Sequence, residues 1–522
     1  MSMLKNLLAR RPFPLHPLFF AVFPILILWA QNLNEGVSFG DIVWPLVVSV
    51  AAAAVLTLIL TPLFKSARKA GLAATALVFL FFFYGATFRA IRGKSIAGLS
   101  IGRPAVVLTI LGVLGLIAVV LAARAKRYVP ELTRVLNVVG AALVLFNAAQ
   151  VGYFKAREGP SGPQVIDETN VPPPRSGTIN ASRRPDIYLL YFDDYAGERT
   201  LREDFQFDEE PFFRFLQSRG FYVARQSTAN YPRTLLSIAA ELNMRYINFL
   251  TEKFGTNTGD TTPLKDLTED HAVGRYLTQK AGYRYIHMGS WWSPTAKSPL
   301  ASVNVHFGFS EFTRTLIGDT ILGGIQGEGF RKREYARALF QIQKIGEVSK
   351  LKGPKFVFAH VLVPHGPFVL DRNGNYVTEE QASQRTKERN YVEQVMWVNK
   401  NVTRLVDRLL AVPEEKRPVI LIQTDEGPYE GEPTRWSRSP REKVLWRKFL
   451  ILNAMYLPGV KNPPLTQTIT PVNTFRLIFD LYFGTKLGLL PDENYAFSDL
   501  KKHLYDLFPV TERVRKSFTS PA

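Results

Sequence analysis

The feature that most constrains this chain is a succession of five apolar runs within its first 155 residues, near Pro14 to Ala30, Ile42 to Phe64, Gly71 to Phe88, Ala105 to Ala123 and Val135 to Tyr153. A bilayer core about 30 Å thick takes roughly 20 residues of helix, and only helices or closed barrels satisfy every backbone polar group inside it. The runs therefore predict five transmembrane helices over residues 1–155. The first run reads as retained, not as a cleaved signal. Trp29, Gln31 and Asn32 stand where small residues would mark cleavage, and four more runs follow.

Charge sets the orientation. With the N-terminus inside, the inner loops hold ten Lys and Arg residues, whereas the outer loops hold Arg89, Arg92, Lys94 and Arg103. Everything after Tyr153 is then extracytoplasmic. The formal net charge is +19, and residues 1–155, with 15 basic and 3 acidic side chains, account for +12 of it. That basicity suits helix orientation and anionic lipid headgroups, not nucleic acid, for which no module is present. The chain has no cysteine, which excludes disulfides, thiolate metal sites and cysteine nucleophiles.

Residues 156–184, rich in Pro, Gly, Ser and charge, read as a linker. From Pro185 onward, short β-rich runs alternate with amphipathic helical ones. DIYLLYF, FYVARQS, YRYIHMG, KFVFAHVLV, PVILIQT and KFLILNAMYL are the expected strands. Near-continuous apolar strands alternating with helices predict a mostly parallel sheet covered on both faces, an α/β domain over 185–522. In that architecture ligands sit outside the carboxyl ends of the strands.

Those ends carry chemistry. DIYLLYF delivers Asp193 and Asp194, PVILIQT delivers Asp425 and Glu426, and KFVFAHVLV leads through VPHGPF to His365. Clustered carboxylates raise one another's pKa unless a cation sits among them, so a divalent metal is expected. Asp193, Asp194 and Asp425 each alone also suit a helix N-cap or a turn. In STANYPRTLLSIAAELNM, Thr234 stands where a helix begins and reads either as its N-cap or as a hydroxyl set at the positive end of the helix dipole. Metal coordination would lower that hydroxyl's pKa and make Thr234 a nucleophile.

The ordered set PDIYLLYFDDYAGERTL, GFYVARQSTANYPRTLLSIAAELNM, KFVFAHVLVPHGPF and ILIQTDEGP resembles the sulfatase-like branch of the alkaline phosphatase superfamily. In layout it is most similar to membrane-bound members of the lipoteichoic acid synthase type, with five N-terminal helices and an outward catalytic domain of alkaline-phosphatase α/β/α kind. The resemblance covers about residues 185 to 485. It implies a metal held by Asp193, Thr234, Asp425 and Glu426, Thr234 as nucleophile, and His365 in contact with substrate.

Two departures stand out. Asp193-Asp194 replaces an Asp-Gly pair, and Asp425-Glu426 replaces Asp-His. An all-oxygen donor set shifts expectation from zinc toward manganese, magnesium or calcium. Tyr231-Pro232-Arg233-Thr234 offers no cysteine or serine precursor of a sulfatase nucleophile, so a phosphoryl group fits better than a sulfate ester. Arg233 is a candidate anion clamp, and Trp292 in GSWWSPT a candidate cover for a sugar or glycerol group. His360, inside an apolar strand, reads as a core histidine. The expected function is a metal-dependent phosphotransferase or hydrolase acting on a phosphate-linked lipid or envelope glycopolymer. The alternative is a non-catalytic relative that binds glycan or serves envelope assembly.

Overall fold

The computed structural model describes residues 12–96, 99–157, 184–428 and 434–518. Its contacts divide the chain into two units, one of residues 1–160 with 309–327 and one of 161–308 with 328–522. The expected linker at 156–184 lies almost wholly outside the described residues.

In the first unit the apolar runs are helices: α1 (His16–Gln31), α2 (Phe39–Phe64), α3 (Ala67–Ile91), α4 (Pro104–Arg124) and α5 (Val129–Arg157). Starts are set by local chemistry. Ser38 and Asp41 form a capping box for α2, the Ser66 hydroxyl accepts from Lys69 N at the start of α3, and Pro104 occupies the first turn of α4. The last four of these helices are long and apolar enough to cross a membrane. Of the five expected spans, α1, whose 16 described residues rise about 24 Å, is shorter than the other four and is not among those long enough to cross.

The second unit is built on a seven-stranded sheet among the described residues. Its strands are β1 (Ile187–Phe192), β2 (Tyr222–Val223), β3 (Arg284–Met288), β4 (Val303–Val305), β5 (Lys355–Val361), β6 (Val419–Gln423) and β7 (Asn453–Tyr456), in the spatial order β2-β7-β6-β1-β5-β3-β4. Four ladders are parallel, but β7 runs antiparallel to both β6 and β2, so the sheet is mixed. Six helices matter to the site or its surroundings: α6 (Glu210–Ser218), α7 (Thr234–Leu242), α10 (Gly329–Val348), α11 (Lys387–Leu410), α12 (Glu442–Phe449) and α13 (Thr474–Phe483). Two shorter helices, α8 (Glu311–Asp319) and α9 (Ile321–Gln326), belong with the first unit.

The central strand explains the layering. All six residues of β1 are buried, and they alternate between two cores. Tyr188, Leu190 and Phe192 pack with α6, α10 and α11, while Ile187, Leu189 and Tyr191 pack with α7 and α13. A strand apolar on both faces has nowhere to lie except between two helical layers. On α11, Tyr391, Val395, Val398, Val402, Leu405 and Leu409 recur at helical spacing and supply one of those layers.

Register then fixes the site. Phe192 pairs with Val361 and Tyr191 with Gln423, so β1, β5 and β6 end level with one another and release Asp193, the VPHGPF segment and Asp425 at one edge. Being antiparallel, β7 begins at that same edge, with Asn453 opposite Gln423. The end of α12, just before it, is thereby delivered there too. The sequence had read KFLILNAMYL as strand from Lys448; the first two residues are instead the close of α12.

Beneath the edge, the Tyr191 hydroxyl donates to Glu241 on α7 and ties that helix to β1. Glu241 is fully buried, and burial pushes its carboxyl up to about 8, against the pull of the Tyr191 and Thr474 hydroxyls. The unfolded chain loses this proton near 4.5, whereas the folded chain keeps it to about 8, so this group costs stability progressively as pH rises between those values. Glu241→Gln is therefore expected to gain on the native protein with rising pH. The difference in melting temperature, variant minus native, should be a few degrees more positive at pH 8.5 than at pH 5. A pH-independent difference would show that the carboxyl titrates normally.

Candidate active site

Thr234 is the first residue of α7, and Arg233, with extended backbone, is its N-cap. The carbonyl of Arg233 accepts from the amides of Leu236 and Ser237, so the Thr234 hydroxyl is not consumed in capping. It donates to Glu426 Oε1 at 3.3 Å. Asp425 lies near enough for the Thr234 hydroxyl to lower its carboxyl pKa against its burial. Three of the expected residues are thus brought together from α7 and the exit of β6.

The exit turn of β6 is shaped by Gly427. A Cβ there would lie 2.0 Å from the Arg447 carbonyl oxygen, so only glycine permits the turn to approach the end of α12. The Gly427 amide donates to the Lys448 carbonyl at 2.9 Å. This contact carries the Lys448 side chain, itself fully buried, to within 2.8 Å of Glu426 Oε2. The ammonium makes a buried ion pair with Glu426 there.

Asp193 leaves β1 with its amide donating to Val361 O, and its own carbonyl accepts from the His365 amide. Its Oδ1 lies 3.9 Å from His360 Nε2. Asp194 follows in a left-handed conformation, φ 58°, with its carbonyl accepting from the Tyr391 hydroxyl at 2.7 Å. That turn sends its carboxyl the other way, to 3.8 Å from His365 Nε2. His365, its side chain 44% exposed, stands at the mouth of the site.

Electrostatics separates the acids. Burial, then the charges of Asp193 and Glu426, push Asp425 well above the carboxylate range despite the Thr234 hydroxyl. Burial pushes Asp194 up to about 7, opposed by Lys448 and His365 and reinforced by Asp193 and Glu426. For Asp193 burial works in the same direction but loses to His360, His365 and Lys448, which hold it below its ordinary value. His365 is raised above the usual imidazole value because Asp193 and Asp194 outweigh its own desolvation.

His360 is more than a core histidine. Its Nδ1 lies 2.7 Å from Thr295 Oγ1, but its Nε2 is buried without a hydrogen-bond partner and faces Asp193. Behind it, His287 donates from Nε2 to the Thr295 carbonyl at 2.9 Å and accepts from the Tyr285 hydroxyl at 2.8 Å, with burial lowering its pKa to about 4. Neutral His287 therefore positions Thr295, which in turn orients His360. Trp292 lies partly buried with its ring centroid 6.3 Å from that of His360, and Trp291 donates to Glu334 at 2.9 Å. Arg233 is half-buried beside Thr234.

Neither Lys448 nor His360 was among the expected site residues. Lys448 had been taken into a strand, and an apolar strand around His360 concealed one unpartnered nitrogen. The available signal for Lys448 was Gly427, which demands a backbone neighbour but does not name it.

Open to solvent beside the acids is a cavity of about 390 Å³, lined among others by Asp194, His365, Phe368, Lys387, Tyr391 and Arg447. Aromatic and apolar walls with several cationic groups suit an anionic group carrying organic substituents.

The donors are of the type a divalent cation takes. Asp425 Oδ2 and His360 Nε2 are buried and lack hydrogen bonds, beside Asp193, the Glu426–Lys448 pair and the Thr234 hydroxyl. As the side chains lie, no group of three or more His, Asp or Glu among the described residues already stands at metal-holding distances. The chemistry of the set fits such an ion, and the chain's own cation, Lys448, shares the same acids.

No family model matches the sequence, and no curated protein matches it. Solved structures do. The C-terminal periplasmic domain of EcEptC from Escherichia coli, in complex with Zn, is 12% identical and covers 66% of this chain and 99% of its own, with a TM-score of 0.40. The putative sulfatase yidJ from Bacteroides fragilis is 14% identical over 59% of this chain and 76% of its own, with a TM-score of 0.37. A putative sulfatase from Bacteroides thetaiotaomicron is 12% identical over 60% and 78%, also at 0.37. These neighbours are a periplasmic EptC domain and proteins described as putative sulfatases. Likeness of this degree bears on neither activity nor substrate, which rest on the site itself.

Removing Lys448 tests the charge balance directly. Lys448→Met leaves Glu426 and its neighbours without their buried ammonium and is expected to cost about 3–5 kcal/mol in unfolding experiments without divalent ions. Added Mn²⁺ or Mg²⁺ should restore more of the melting temperature in the variant than it adds to the native protein. Equal shifts would show that the ammonium and the added ion do not compete for the same acids.

Proposed function

We propose that this is a membrane-anchored, metal-dependent phosphotransferase or hydrolase, acting on a phosphate-linked lipid or cell-envelope glycopolymer through Thr234, its catalytic domain extracytoplasmic. The observation that carries the reading is the Thr234 hydroxyl, free of capping at a helix N-terminus, donating to Glu426 with Asp425 alongside and a cavity opening past His365.

Asp193, Asp425, Glu426 and Thr234 would hold one divalent ion, and their oxygens favour manganese, magnesium or calcium over zinc. When bound, such an ion lowers the hydroxyl pKa and neutralises charge on the phosphoryl oxygens. The chain's own residues do the rest. A carboxylate of the Asp425-Glu426 pair takes the Thr234 proton as Oγ1 attacks phosphorus. The Thr234 Oγ1–P bond forms, the P–O bond to the leaving group breaks, and His365, its pKa raised, gives that oxygen a proton. Helix α7 places its amide-rich end and positive dipole behind the phosphoryl group. Lys448 adds buried positive charge, and Arg447 and Lys387 line the approach for an anionic substrate. Water or an acceptor hydroxyl then attacks phosphorus and releases Thr234. A membrane anchor keeps the cleft at high effective concentration of lipid-borne phosphate.

The buried Lys448–Glu426 pair supports a second reading, in which the ammonium has taken the cation's place and the cleft binds its glycan or lipid without turnover. The two readings separate in one set of measurements on the full chain in detergent. Thr234→Ala is expected to lower phosphodiester turnover by a factor on the order of 10³ or more while folding persists, and mass spectrometry of native protein should find a phosphoryl adduct on the peptide containing Thr234. Ligand binding without turnover or adduct, unchanged by added divalent ions, favours the binding reading. Turnover undiminished in Thr234→Ala reassigns the nucleophile.

A further inference from the structure

Residues 309–327 interrupt the second unit in sequence but belong to the first in space. The chain leaves after Gly308, forms α8 and α9, and returns at Glu328. Its apolar residues divide into two sets. Phe312 and Leu316 are buried with Ile25, Trp29, Ile42 and Val151, and Ile321 packs against Tyr84, Val107 and Leu111. Leu322 and Ile325, by contrast, are 44% and 66% exposed. The seating is close: a Cβ on Gly85 would fall 2.6 Å from Asp319 Cα, and one on Gly324 2.3 Å from Tyr84 Cζ. Arg89 pairs with Asp319 at the rim.

Depth follows from the partners. Trp29, Ile42, Tyr84, Val107 and Val151 all lie toward one end of α1 to α5, the end that positive-inside charge places outside. Helix α8 has nine residues and rises only about 14 Å, so the hairpin cannot span a bilayer. It lies against the outer ends of the helices, its exposed Leu322 and Ile325 continuing the exposed apolar perimeter that Ile110, Val113 and Leu114 form on α4. In residues 309–327 the charged side chains are Glu311, Arg314 and Asp319, all before α9.

We propose that residues 309–327 are a membrane-embedded hairpin whose α9 face, Leu322 and Ile325, sits among the acyl chains of the outer leaflet, giving the catalytic unit a second attachment to the bilayer. A position against the outer ends of the helices suits the shallow depth, about 5–10 Å, of interfacial helices. Burying two large aliphatic side chains in hydrocarbon supplies the driving force. The proposal rests on the membrane reading of α2 to α5, and the test keeps the two apart.

The chain has no cysteine, so single labels report without background. Ile325→Cys and Leu322→Cys, each carrying an NBD fluorophore, and Leu58→Cys on the 70%-exposed face of α2 are reconstituted in phosphatidylcholine vesicles with and without brominated lipid. Brominated lipid is expected to remove roughly half of the emission at 325 and 322, as at 58, and aqueous iodide little of it. Strong quenching at 58 with none by lipid at 322 and 325 overturns the hairpin proposal and leaves the anchor intact, whether iodide reaches those labels or another protein surface covers them. Absence of lipid quenching at 58 overturns both. Native melting temperatures for the labelled variants confirm that the fold carries the labels.

Discussion

Four acids sharing one dry edge of a sheet form the arrangement around which the second unit is organised. Asp193 and Asp194 leave β1, and Asp425 and Glu426 leave β6. Like charges at such distances in a low-dielectric site cannot all ionise unaided. The protein answers in three ways at once: Asp425 is pushed toward its neutral form, Lys448 brings a buried ammonium to Glu426, and two imidazoles stand by Asp193 and Asp194. The balance is incomplete, since Asp425 Oδ2 still lacks a donor, a place whose chemistry suits a divalent ion.

The surroundings serve this cluster. Gly427 lets the end of α12 come close enough to insert Lys448, and the left-handed turn at Asp194 splits two adjacent carboxyls toward different imidazoles. His287 and Thr295 hold His360 from behind. Tyr191 and Glu241 tie the helix that begins at Thr234 to the strand that ends at Asp193, so hydroxyl and acid are set by one internal connection. A hydroxyl and its neighbouring acids positioned by strands and a helix, with the open cavity to one side, are a rigid scaffold with a variable approach.

Several of these parts were legible without coordinates. Alternating apolar strands ending in acids, and a threonine at a helix start, put Asp193, Asp425 and Glu426 at strand exits and Thr234 at the head of a helix, because strand period and helix capping are local properties. His365 declared itself by standing past its strand between Pro and Gly. His360 was misjudged, since burial is visible in an apolar run but the partner of each ring nitrogen is not. Lys448 was misjudged for a different reason: KFLILNAMYL has the same apolar character whether its first two residues close a helix or open a strand. The first apolar run reads as a span by composition, and its helix is the shortest of the five.

The sequence alone determined that the chain has two unlike parts, that its second part alternates strands with helices, that cysteine chemistry is absent, and which residues stand at strand ends. These follow from periodicity, composition and counting, which need no distant neighbours. Tertiary structure decided which strand ends share an edge, that β7 runs backwards and so brings Lys448 among the acids, that His360 keeps one nitrogen unpartnered, and that residues 309–327 pack with the apolar helices. Each depends on register and on contacts between segments far apart in the chain, and the same local pattern is compatible with either outcome until the sheet is assembled.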